Sequence, residues 1–146
     1  GLLLSTLGAF GFILLIAKPL QFGTVTFDLS SLLVSSITLL VGFQVLGFGI
    51  FIKAYAVNAC FLPGKEYWLK LTKGRIVEWG IALGMIFILF GTGYLIHATL
   101  LWKAAGFGPM PYQNILRRVI ASTTGIGLGI QTMVYGFALA VLGLER

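Results

Sequence analysis

The sequence is short of charge. Of its 146 residues, 10% are Asp, Glu, Lys or Arg, and it holds one Cys and one His. Soluble domains are about 25% charged, so an ordinary water-soluble globule is excluded. The single cysteine, Cys60, excludes an internal disulfide. The acidic residues are Asp28, Glu66, Glu78 and Glu145. No two of them form a close carboxylate pair, and no Asp-x-Asp is present to hold a divalent metal on a nucleotide diphosphate. A Walker loop, a C-x-x-C pair and a Ser-His-Asp set are also missing. These absences predict a chain with no catalytic residue, no metal site and no resident cofactor of its own.

What the chain has instead is apolar length. Hydrophobic residues make up 58%, with a mean hydropathy of +1.01. Four stretches carry no Asp, Glu, Lys or Arg: Gly1–Ala17, Leu29–Ile52, Trp79–Trp102 and Val119–Leu144, of 17, 24, 24 and 26 residues. A spanning helix needs roughly 20 mostly apolar residues. The expectation is a single all-α membrane domain of four transmembrane helices, at about 1–17, 31–57, 76–102 and 117–144. The chain starts in an apolar run at Gly1, without the basic flank or cleavage site of a signal peptide. That start predicts a piece of a longer protein.

The connections differ in character. Lys18-Pro19 ends the first run, since proline cannot continue a helix. Gln21–Ser30 reads as a turn-rich link, with Asp28 or Ser30 placed to cap the second helix. Asn58–Arg75 is the most polar stretch. There Tyr67, Trp68, Leu69 and Leu71 mix with Lys65, Glu66, Lys70 and Lys73, the pattern of a short amphipathic segment lying on a membrane surface. Trp79 and Trp102 bracket the third run like an aromatic belt. Lys103–Gln113 is a link punctuated by Gly and Pro.

Basic residues set the expected orientation. Lys53, Lys65, Lys70, Lys73, Arg75 and Arg146 fall on one side, and Lys18, Lys103, Arg117 and Arg118 on the other. This count places both termini and the 58–75 link in the cytoplasm. The net charge of +6 is therefore a topology signal, and nucleic acid is not an expected partner. A short repeat adds to the layout. Gly42-Phe43-Gln44 with Gly49, and Gly129-Ile130-Gln131 with Gly136, sit in runs of the same direction, as two tandem helical hairpins would place them.

Few residues stand out against the apolar background. Gln44 and Gln131 lie near the centres of their runs, where an amide needs a partner on another helix. Gly80-xxx-Gly84 and Gly125-xxx-Gly129 are small-residue pairs that allow close helix packing, with Gly8 and Gly11 at looser spacing. His97, inside the third run, reads first as a polar tip near the headgroups and second as a ligand for haem iron or a pigment magnesium. Lys65, Tyr67, Trp68, Lys70, Lys73 and Arg75 read first as a positive-inside anchor and second as a site for an anionic lipid phosphate.

Several stretches carry a resemblance. Phe22–Asp28 (FGTVTFD), Leu40–Gly49 (LVGFQVLGFG), Phe51–Ala56 (FIKAYA) and Trp102–Pro109 (WKAAGFGP) resemble the C-terminal membrane region of family 2 glycosyltransferases. The resemblance extends over nearly the whole chain, and the family members it points to are the bacterial relatives of dolichol-phosphate sugar synthases, which load a sugar onto a polyprenyl phosphate. In that family the catalytic domain and its acidic metal motif precede the first span, so no family catalytic residue maps onto this chain. The resemblance implies helices that anchor a catalytic domain in the bacterial inner membrane, help it oligomerise and present a lipid acceptor. The partners it implies are membrane lipids, that domain and further copies, with bound lipid as the expected ligand. The alternative is an accessory subunit of a larger lipid- or pigment-containing membrane complex; a transporter or channel ranks third, because no run holds a buried charge to make an ion path.

Overall fold

A hydrocarbon environment gives an unpaired peptide group no hydrogen-bond partner, so an apolar chain there satisfies its backbone by coiling into helices. The computed structural model describes residues 1–17, 20–22, 25–59, 75–104 and 112–144. It contains α1 (Leu2–Ala17), strands β1 (Leu20–Phe22) and β2 (Val25–Phe27), α2 (Leu29–Asn58), α3 (Arg75–Ala104) and α4 (Tyr112–Leu144). At 1.5 Å per residue, α2 and α3 rise about 45 Å and α4 about 50 Å. By length and composition, α2 and the stretches Val77–Ala104 and Ile115–Gly143 can cross a membrane. The 16 residues of α1 occupy nearly all of the expected first run, but they rise about 24 Å, short of a hydrocarbon core of about 30 Å.

The link between α1 and α2 holds more order than its turn-rich composition implies. β1 and β2 pair antiparallel, with Leu20 opposite Phe27 and Phe22 opposite Val25. Two residues separate the strands, and alternating Leu, Phe, Val and Thr on either side of a Gly-led link suit a tight hairpin.

Helix packing follows two rules. Within each hairpin, glycines let the backbones approach. On α1 and α2, a Cβ on Gly8 would collide with the Leu39 amide, and one on Gly42 with that of Ser5. On α3 and α4, a Cβ on Gly84 would lie 2.7 Å from the Gly129 carbonyl oxygen, and one on Gly129 2.7 Å from that of Gly84. The repeat is thus visible in space: Gly42 and Gly129, equivalent in sequence, each face the antiparallel partner of their own hairpin. Between the hairpins, α2 packs along α4, while α3 packs on α4 and makes no comparable contact with α1 or α2. An apolar cluster of Leu15, Leu32 and Ile120, joined by Phe12 and Leu29, ties α1, α2 and α4 together at one end.

The solvent pattern is inverted relative to a soluble protein. Only 11%, 11% and 17% of the most apolar windows of α2, α3 and α4 are buried, whereas Ser36, Ser122 and Thr124 are. Such an apolar exterior requires lipid, not water, around it. Trp79 and Trp102 are both exposed, and the 23 helical steps from one to the other rise about 35 Å, close to the thickness of the hydrocarbon layer.

Candidate functional site

Hydroxyls and amides are costly in an apolar helix unless each is bonded. Thr38, Thr99, Ser122, Thr123 and Thr132 solve this locally by donating to the carbonyl four residues back. Asp28 and several other polar side chains of α2 and α4 instead reach across and form a ladder along the α2–α4 seam.

Its first rung is ionic. Arg117 Nη2 lies 2.9 Å from Asp28 Oδ1, with side chains 11% and 29% exposed. Asp28 does stand at the N-cap of α2, yet its side chain makes no capping bond; the carboxylate turns to the guanidinium instead. The second rung joins Ser36 Oγ and Thr124 Oγ1 at 2.6 Å, buried. Thr124 already donates its proton to the Ile120 carbonyl at 2.6 Å, so Ser36 is the donor to Thr124. Farther along, Gln131 Nε2 points at the Leu40 carbonyl at 3.5 Å. Tyr135 donates to the Gln44 carbonyl at 2.8 Å, and Asn58 Nδ2 to that of Leu142 at 2.8 Å. Partners advance together along both helices, 84 to 91 residues apart at every rung, so α2 and α4 are a parallel pair.

Tyr135 is the centre of the lower half. Its ring fills the space that a Gly47 side chain would take, since a Cβ there would fall inside the ring. Phe43 and Phe48 meet it edge-on, with centroids 6.3 and 6.1 Å away, an arrangement the ring quadrupole favours.

The predicted residues are placed unevenly. Gln131 lies in the seam, with its Oε1 buried and unpartnered. Gln44 carries an exposed side chain and enters the seam through its backbone carbonyl. The glycine pairs all fall on the α3–α4 contact, where Gly80 faces Gly136 and Gly125 faces Gly91. His97 is exposed on α3. Lys65, Tyr67, Trp68, Lys70 and Lys73, with the expected amphipathic segment, lie outside the described residues; Arg75 opens α3, and its side chain is likewise outside them. Among the described residues no group of three His, Cys, Asp or Glu could hold a metal.

Two open-sided cavities flank α4. One, of about 270 Å³, lies among α2, α3 and α4, with Phe43, Gly47, Ile50, Gly80, Tyr135 and Leu139 in its walls. The other, of about 360 Å³, lies among α1, α3 and α4, with Phe12, Phe90, Tyr94, Ala121, Gly125 and Leu128. Their linings are almost wholly apolar, which suits hydrocarbon and not a charged substrate.

Residues 50–143, more than half of the chain, match the glycosyltransferase family 2 C-terminal transmembrane region. The chain belongs to this family. The match starts in the second half of α2 and takes in α3 and almost all of α4. It includes the Phe51–Ala56 and Trp102–Pro109 stretches, whereas Phe22–Asp28 and Leu40–Gly49 precede it. No curated protein and no solved structure matches the chain. As a family 2 transmembrane region, it is an integral membrane protein whose part is to anchor a glycosyltransferase in the bilayer.

The Tyr135 packing gives a direct prediction. Gly47→Ala destabilises the protein in detergent by about 1–3 kcal/mol, the usual cost of overpacking. Gly49→Ala, where nothing lies within 4 Å, leaves the thermal midpoint unchanged or higher. In a Tyr135→Ala background Gly47→Ala loses its effect; an equal cost in both backgrounds would mean that the ring does not occupy that space.

Proposed function

We propose that this transmembrane region holds a family 2 catalytic unit at the membrane and presents to it a polyprenyl-phosphate acceptor. The observation that carries the reading is the family match over helices flanked by two apolar, open-sided cavities. Such a region supplies position and not chemistry: it keeps a water-soluble sugar donor and a water-insoluble acceptor at one surface, which converts encounter in three dimensions into a local one. The basic residues of the 58–75 link and Lys53 supply the positive charge that draws an anionic phosphate to that surface. The membrane is the bacterial inner membrane, with the link and both termini in the cytoplasm.

A transfer assay tests the role. Membranes carrying the full-length protein should move labelled sugar from its nucleotide onto undecaprenyl phosphate. Removing α1–α4 should abolish this transfer while leaving transfer to water-soluble geranyl phosphate. Equal use of both acceptors without the helices would refute acceptor presentation, and inactivity of the intact protein toward every acceptor would favour the accessory-subunit reading.

Cys60 reports orientation, because it is the only cysteine and sits in the link between α2 and α3. A membrane-impermeant maleimide should label it in inverted inner-membrane vesicles and not in intact cells permeabilised only at the outer membrane. Labelling in the intact cells would reverse the topology.

A further inference from the structure

The Gln44 side chain is exposed on α2. Its backbone carbonyl accepts the Tyr135 proton, while its amide group makes no hydrogen bond among the described residues. The nearest charged residues of the helix and its cap are Lys53, nine residues on, and Asp28, sixteen before. Those steps rise about 14 and 24 Å, so the amide sits inside the hydrocarbon layer, beyond the reach of a glutamine side chain to water. Lipid chains offer an amide no hydrogen-bonding group at this depth. The cost of leaving it unpaired is relieved when another protein group meets it.

The neighbours of Gln44 on the same face form a continuous stripe. Val34, Ile37, Val41, Gln44 and Phe48 follow one another at steps of three and four residues, and Tyr55 extends the line seven residues farther; all are exposed. The buried residues of α2, Leu32, Ser36, Gly42, Ala54 and Val57, lie on the other side of the helix. Alternating steps of three and four are the seam spacing of paired parallel helices, in which a single polar residue sets the register. Phe48 is braced from beneath by the Tyr135 ring, which meets it edge-on. The stripe carries no charge, so two such faces bring no like charges together.

Two properties select the partner. A primary amide both donates and accepts, so it is its own complement. Copies inserted in one orientation also carry Gln44 at one depth, and a two-fold axis along the membrane normal brings the two amides together. A different partner would need a polar group of its own at that same level.

We propose that the α2 stripe centred on Gln44 is the contact surface for a second copy of this chain, with the two α2 helices parallel and the Gln44 amides bonded to each other across the axis. The pairing is independent of acceptor presentation. It makes the polar α2–α4 seam the inner support of an interface whose own polar element is Gln44.

Cysteine cross-linking of the full-length protein in native membranes tests the surface. In a Cys60→Ser background, Ile37→Cys and Val41→Cys should each form a disulfide between like positions of two copies. Ile86→Cys, exposed on α3, should not. Dilution of labelled protein into an excess of lipid tests the amide: Gln44→Leu should weaken self-association about three- to thirty-fold, the range expected for an interhelical bond in lipid, with the thermal midpoint of the separated chain unchanged or higher. Cross-linking at Ile37 and Val41 no greater than at Ile86, or cross-links from those positions to a different protein, would overturn the second-copy surface. Unchanged self-association of folded Gln44→Leu would overturn the amide pairing.

Discussion

The structure depends on the parallel seam between α2 and α4. Each hairpin could form by itself through close backbone approach, but nothing in the hairpins says how one sits on the other. The seam does. Ionic, hydroxyl, amide and phenol groups meet in the same order along both helices from Asp28–Arg117 to Asn58–Leu142. In lipid, where apolar surface gains nothing from being buried against other apolar surface, such bonds and tight packing are the forces that specify helix order. A shift of α4 by one residue would turn these groups away from their partners, and each would then carry an uncompensated polar atom into hydrocarbon.

Two packing chemistries thus divide the labour. Glycine contacts close the antiparallel pairs, and polar contacts fix the parallel one. Their combination leaves α3 packed chiefly on α4, and that asymmetry leaves the two open-sided cavities beside α4. A symmetric four-helix bundle would fill this space with side chains. The anchor therefore acquires a lipid-facing cleft as a geometric consequence of how its hairpins are joined.

The helices were legible because charge is excluded from long runs for the same reason in every membrane protein: no water is present to solvate it. The glycine pairs on α3 and α4 were legible as well, since small residues one turn apart mark one helix face. The seam was far less so. Asp28 reads as a cap because aspartate before an apolar run usually is one; only the fold brings Arg117, 89 residues away, close enough to claim it. Tyr135 carries no sequence mark that separates it from a lipid-facing aromatic. Gln44 and Gln131 look equivalent, yet the helix surface turns one side chain outward and the other into the seam. The 20–27 hairpin was hidden in a stretch whose turn residues outweigh two three-residue strands.

The seam itself is open to one direct measurement. With Cys60→Ser as background, cysteines replace Ser36 and Thr124, whose hydroxyls lie 2.6 Å apart, and oxidation is carried out in native membranes. The account predicts efficient cross-linking of this pair and none when the Ser36 position is matched with the Tyr135 position, three turns farther along α4. Cross-linking of Ser36 with Tyr135, or of neither pair, would contradict the parallel pairing of α2 and α4.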